Sequence, residues 1–262
     1  MSPVIQSDQN IAIKRVRKLQ RKKYRDAAGQ FIIEGRNLVW EACRKDIVID
    51  TLLIAENFPA ESWTEGLRAS GTRVYRVEQH LFERLTEAEN GAGLLAVVNY
   101  PEVNDAVLAR PGGCIVVLDR LQDPGNIGTI IRTAVAAGYD AVVSLKGTAD
   151  IFSRKVLRAT AGMIFDIPIF RIDNPEEFLE MLKRYGKRAV VTVPEGGVPY
   201  YDVNLSDNVA LIVGNEGNGI SEMLKNSADE RVTIPMCGEI ESLNAAISAA
   251  ILMYERVRGG LR

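Results

Sequence analysis

From Cys114 to Pro235 the chain repeats one pattern: a short run with almost no polar position, then a longer stretch of helical or loop character. The runs are Cys114 to Leu118, Ala141 to Leu145, Ala189 to Val193, Val209 to Val213 and Val232 to Pro235. A strand apolar at every position is buried on both faces, which predicts a mostly parallel sheet with helices on its two sides. The upstream third reads differently. Gln30 to Gly35, Ile49 to Ala55, Arg73 to Val77 and Leu94 to Tyr100 read as strands, with helices over Asn37 to Lys45 and Gln79 to Glu87, which predicts a small α/β unit.

Punctuation between the two patterns marks a boundary. Pro101 and the polar residues through Asn104, followed by Pro111-Gly112-Gly113, supply turn chemistry. The expected division is an N-terminal arm over 1–28, a small domain over 29–104, a linker over 105–112 and a larger domain over 113–262. A last helix, about Leu243 to Arg258, begins with apolar or small residues on every side. A helix without a polar face is buried all round, either within its own chain or partly by a second subunit.

Charge changes the picture at one end. The formal net charge is −2 and the pI about 5.7, which argues against a polyanion as partner until the distribution is inspected. Lys14, Arg15, Arg17, Lys18, Arg21, Lys22, Lys23 and Arg25 are eight cations in twelve positions. The first thirty residues therefore carry +6 and the remainder about −8. Such segregation suggests a basic arm on an acidic body, and a solvated helix is the plain alternative. No apolar run is long enough for a membrane span. Cys43, Cys114 and Cys237 are scattered and His80 is the one histidine, so neither a zinc site nor a disulfide framework is expected, and the compartment is expected to be reducing cytoplasm.

Three stretches, each after an apolar run and each leading into a helix, belong at one sheet edge, where α/β proteins bind ligands. In the first, Asn126 stands where a helix N-cap belongs, and Arg132 shares a stripe with Thr129 and Thr133 that a solvated arginine would also fit. In the second, Gly214-Asn215-Glu216-Gly217-Asn218-Gly219 lets the backbone approach a ligand closely, but its spacing is neither dinucleotide-binding nor that of a phosphate loop. Glu216 there can bond a hydroxyl or hold the turn. In the third, Ile234-Pro235-Met236-Cys237-Gly238 runs to Ser242-Leu243-Asn244, where Ser242 can cap the closing helix. Met236 and Leu243 are apolar in a turn, either as core filling or facing an adenine-sized planar group.

The order and wording of these stretches, from Asp123-Pro124-Gly125-Asn126-Ile127-Gly128 through Arg132 to Asn244, together with Ser153-Arg154-Lys155-Val156-Leu157-Arg158-Ala159-Thr160-Ala161-Gly162, resemble the SpoU, or TrmH-like, RNA 2′-O-methyltransferases of the SPOUT superfamily. The resemblance covers residues 113 to about 258. Upstream, Phe31-Ile32-Ile33-Glu34-Gly35 and Leu38-Val39-Trp40-Glu41-Ala42 look like the substrate-binding domain such enzymes carry, similar to the ribosomal protein L30e fold.

The resemblance implies a SPOUT-type α/β domain with a deep C-terminal trefoil knot, a homodimer, and S-adenosylmethionine against Gly214, Gly217, Gly219, Ile234, Pro235, Met236 and Leu243. It implies Arg132 at the ribose 2′-hydroxyl, with Asn126, Glu216, Ser242 and Asn244 ordering the site. Ribosomal RNA is the expected substrate, contacted by Arg158 and by Lys14, Arg17, Lys18, Arg21 and Lys22. Transfer RNA, a non-catalytic role in ribosome assembly, and a small-molecule enzyme with a nucleotide cofactor are the alternatives. No metal is expected.

Overall fold

A computed structural model describes residues 4–59, 61–87, 93–238 and 242–260, and it divides into two compact units. The first comprises residues up to 102 together with 152–165, and the second comprises 103–151 and 166 onward.

In the first unit the basic segment is two helices, α1 (Ile11–Leu19) and α2 (Lys22–Ala28). Asn10 caps α1 by accepting from the Ala12 N–H at 2.8 Å, and Gly29, at φ +62°, ends α2 in the left-handed turn that glycine adopts without cost. Strand β1 (Gln30–Glu34), helix α3 (Arg36–Arg44), strand β2 (Ile49–Ala55), helix α4 (Ser62–Ala69), strand β3 (Arg73–Val77), helix α5 (Gln79–Glu83) and strand β4 (Leu94–Asn99) follow. The sheet order is β1-β4-β2-β3, antiparallel except for the β2–β3 pair.

The basic segment is not an arm. Ile13, Val16 and Leu19, three apart along α1, are buried in the same cluster as Ile32, Leu53, Leu95 and Val97 from the sheet. Even Ile5 is bridged to β3, its N–H donating to the Arg76 carbonyl at 2.8 Å. The eight cations hid an apolar seam at helical spacing, worth roughly 1.5–3 kcal/mol for each fully buried aliphatic side chain.

The second unit holds β5 (Ile115–Asp119), α6 (Pro124–Ala136) and β6 (Ala141–Leu145), after which the chain enters the first unit as α7 (Arg154–Ala159). It returns with β7 (Ile169–Ile172), α8 (Pro175–Arg184), β8 (Arg188–Thr192), β9 (Val198–Pro199), β10 (Val209–Gly214), α9 (Glu222–Ser227), β11 (Glu230–Thr233) and α10 (Ala245–Gly260). All seven strands are parallel, in the order β7-β6-β5-β10-β8-β11-β9. The five expected runs are β5, β6, β8, β10 and β11; the two extra strands are short edges without a continuous apolar run.

Two boundaries differ from the sequence expectation. The stretch expected as a linker includes a 3-10 helix, Asp105–Ala109, whose Leu108 is buried in the second unit's core. Residues 152–165 leave the second unit because Phe152 packs at a tilt against Phe31 and Tyr100, and Arg154 binds Glu34 at 3.3 Å and the Leu85 carbonyl at 2.6 Å.

Candidate active site

Strand order places the C-terminal ends of β5 and β10 side by side, with Gly214 registered opposite Asp119. The glycine turn leaves β10 at that point. Asn215 and Gly219 exchange backbone hydrogen bonds at 3.0 and 2.9 Å, and the Asn215 Oδ1 accepts from the Gly217 and Asn218 N–H groups. A Cβ on Gly214 would lie 2.5 Å from backbone atoms of Gly219 and Ile220, so only glycine fits there.

Helix α6 starts differently from the sequence expectation. Asp123 is its N-cap, accepting from the Asn126 N–H at 2.7 Å, and Pro124 occupies the first turn, where a missing N–H costs nothing. Asn126 is therefore inside the helix with its carboxamide free for other work. Its Nδ2 donates to Glu216 Oε1 at 3.0 Å and its Oδ1 accepts from Asn244 Nδ2 at 2.9 Å. Asn244 in turn caps α10, accepting from the Ala246 N–H at 2.9 Å and the Ile247 N–H at 3.3 Å. The cap expected of Ser242 belongs to Asn244.

This relay joins all three sequence stretches and runs in one direction. A carboxylate only accepts, so Asn126 must present its NH₂ to Glu216, and its oxygen is left for Asn244. Glu216 also accepts from the Gln122 and Asp123 N–H groups, each at 3.3 Å. Partial burial pushes its carboxyl pKa up, but the bonds from Asn126 and the backbone outweigh it and hold the group below the ordinary glutamate range.

Beside the relay lies a pocket of about 490 Å³. Gly214, Glu216, Gly217, Gly219, Ile234, Met236, Ser242, Leu243 and Asn244 line it, so nine of the expected residues converge. Met236 and Leu243, apolar in a turn, face this space. Pro235 and Arg132 are exposed and outside the lining, and half-buried Asn126 is outside it too. Arg132 is exposed on α6 and has no ion-pair partner among the described residues. Sequence reasoning missed Thr192, Val193 and Pro194, which close the pocket from the end of β8. The available signal was a buried run ending in proline at the same edge of the parallel sheet.

The basic residues divide. Arg17 pairs with Asp8 at 2.6 Å, Arg15 with Asp50 at 2.6 Å, and buried Arg25 binds the Leu19 and Gln20 carbonyls. Lys14, Lys18, Arg21, Lys22 and Lys23 stay exposed. Arg158 lies 3.7 Å from the buried carboxylate of Glu34 and 3.9 Å from Glu87, so part of its charge is answered in place.

Residues 113–254 match the SpoU rRNA methylase family, more than half of the chain, and residues 10–96 match an MRM3-like substrate binding domain. The chain belongs to the SpoU rRNA methylase family. A curated relative in Bacillus subtilis (strain 168), the 23S rRNA (guanosine(2553)-2′-O)-methyltransferase RlmP, is 38% identical, with 95% of this chain and 97% of the relative aligned. An AdoMet-bound rRNA methyltransferase from Sinorhizobium meliloti superposes with a TM-score of 0.87 at 32% identity, covering 98% of each chain. The SpoU methyltransferase AviRb of Streptomyces viridochromogenes, in complex with AdoMet, gives 0.83 at 29% identity over 96% of this chain and 99% of its own. This SpoU methylase is thus an RNA methyltransferase with a SPOUT-type α/β fold, as the resemblance implied.

Proposed function

We propose that the chain transfers a methyl group from S-adenosylmethionine to a ribose 2′-hydroxyl of large-subunit ribosomal RNA, at the relay-bordered pocket of the second unit. The observation that carries the reading is the Glu216–Asn126–Asn244 relay at the rim of a pocket of small-molecule size, about 490 Å³ where ~300–1,000 Å³ is usual. The lining fits the methyl donor. Val193, Pro194, Ile220, Met236, Leu243 and Leu252 offer apolar walls for an adenine-sized ring, and the 214–219 turn offers backbone polar groups for the sugar and amino-acid parts. Bound there, the donor supplies an electrophilic methyl on a sulfonium.

The residues of the chain must align the ribose so that its 2′-oxygen can take the methyl as the sulfur–methyl bond breaks, with S-adenosylhomocysteine leaving and the hydroxyl proton passing to solvent water. Residues 113–262 contain no histidine. The Arg132 guanidinium donates hydrogen bonds and offers no acceptor, so its role is electrostatic: it binds the neighbouring phosphate and stabilises developing negative charge on the 2′-oxygen. Asn126 is a positioning residue, locked between Glu216 and Asn244, and Ser242 completes the rim.

The small domain selects the RNA, and Lys14, Lys18, Arg21, Lys22 and Lys23 hold its backbone. A stripe of Ile247, Ile251 and Tyr254 along α10, with Ile247 54% and Tyr254 49% exposed, supports a homodimer through this helix. Ile234, Met236, Ser242, Leu243 and Asn244 line the pocket with the 214–219 turn, which suits the trefoil knot of the superfamily. Ribosomal RNA as substrate is in keeping with a cytoplasmic enzyme.

Tritium transfer from labelled donor to ribosomal RNA lacking the modification tests the reading. Label is expected in large-subunit RNA, on a 2′-oxygen, with the guanosine named for RlmP mapped first. Label in transfer RNA instead would move the substrate, and no label in any RNA, with the protein folded, would leave a non-catalytic binder.

A further inference from the structure

The residue after β5 adopts a conformation that its side chain disfavours. Arg120 has a φ of +60°, a region that glycine enters freely and that a residue with a Cβ enters at a cost. Main-chain bonds hold it there: its N–H donates to Thr148 Oγ1 at 3.0 Å, and its carbonyl accepts from Asn215 Nδ2 at 2.9 Å and Gln122 Nε2 at 3.2 Å. A glycine would make all three bonds without strain. What glycine would lack is the guanidinium, and local strain at a site edge is a reason to look for its use.

That guanidinium is under-employed inside the protein. Among the described residues it makes a single hydrogen bond, Nη2 to the Gly219 carbonyl at a long 3.4 Å. Its Nε stands 3.4 Å from Asp119 Oδ1 without hydrogen-bonding it, while Asp119 commits Oδ2 to the Ser221 N–H at 2.6 Å. The side chain is 41% exposed, at the ligand-binding edge of the sheet. Two residues on, Gln122 and then Asp123 hold Glu216 by their N–H groups. Arg120 does not line the donor pocket, so the donor is not its ligand.

We propose that Arg120 is a substrate-binding residue, whose guanidinium takes a phosphodiester of the RNA strand at the rim of the methyl-transfer site. The proposal rests on the reading that RNA is methylated there. A planar guanidinium with spare donors matches phosphate oxygens in pairs, and a polyanionic strand supplies them.

Arg120→Gly and Arg120→Lys in the full chain test it. With Arg120→Gly, the thermal midpoint should hold or rise, because strain is relieved. Affinity for S-adenosylhomocysteine should stay within about two-fold, KM for RNA should rise about ten-fold with kcat nearly unchanged, and the salt dependence of RNA binding should lose about one phosphate's worth of slope, roughly 0.7–0.9. Arg120→Lys should keep the slope and recover part of the KM. An unchanged KM and slope in Arg120→Gly, or a loss confined to S-adenosylhomocysteine affinity, would overturn the proposal. Wild-type enzyme silent toward every RNA in the same assay would instead remove the reading beneath it.

Discussion

The polar residues of the relay and those of the basic helices work in opposite ways. Around Glu216 each polar group has a fixed partner: the carboxylate receives three donors, and Asn126 and Asn244 are locked in one orientation. On α1 and α2, by contrast, five cations stand in solvent above an apolar seam. Methyl transfer needs atoms placed to fractions of an ångström, which fixed hydrogen bonds provide. The proposed hold on an RNA backbone needs charge density, which exposed cations provide without a fixed partner.

The largest effect that would sharpen this contrast is at Arg132. Replacement by Lys keeps the charge but loses the planar fork, and turnover should fall by roughly 10²–10³-fold while donor affinity stays within about two-fold, measured by single-turnover methyl transfer and calorimetry. Turnover equal to wild type would take Arg132 out of the mechanism.

Gly214→Ala should come next. The new methyl meets backbone at 2.5 Å, so the turn must move, and donor binding should be lost along with about 1–3 kcal/mol of stability by denaturant titration. Retained donor affinity would show that the turn is softer than its hydrogen bonds suggest.

Replacing Lys14, Lys18, Arg21, Lys22 and Lys23 by Gln should weaken RNA binding several-fold to a hundred-fold and flatten its salt slope, with donor affinity and folding untouched. Deleting the segment is a different experiment: it removes Ile13, Val16 and Leu19 from the core and should unfold the first unit. A salt slope indifferent to the five substitutions would reduce these cations to solubilising charge.

The smallest effect is pH dependence at Glu216. Its folded pKa is lowered, so its contribution is complete above the ordinary glutamate value near 4.5 and is lost as pH falls through the lower folded value. Stability above pH 5 should therefore be insensitive to this group, and a modest acid-side loss should disappear in Glu216→Gln. The loss is modest because the residue is largely exposed and solvent screens it. An identical acid limb in that variant would assign the loss to other carboxylates.

Much of this was legible in the chain itself. Uniform apolar runs announced the parallel strands, because burial on both faces leaves no room for alternation. The glycine turn at 214 and the apolar side chains at 236 and 243, open in the sequence between core filling and a ligand, line one pocket in the structure. Less legible were the ends and the alliances. Asn126 looked like a cap because it sits beside a helix start, but Asp123, three residues earlier, caps the helix by accepting from the Asn126 N–H and leaves the Asn126 carboxamide for other partners. Likewise the charges of α1 and α2 masked the seam beneath them, since an apolar residue every third position is faint against eight cations.

What the sequence determined alone is local: strand burial, turn chemistry, charge, and the wording that identifies a methylase. Only the tertiary structure decided that Glu216, Asn126 and Asn244, up to 118 positions apart, form one relay, and that Arg154 and Arg158 meet Glu34 rather than remaining with their neighbours in sequence. The reason is physical. Hydrogen-bond partners and buried ion pairs depend on distances across the fold, and a parallel sheet fixes those distances by strand order, which no local pattern encodes.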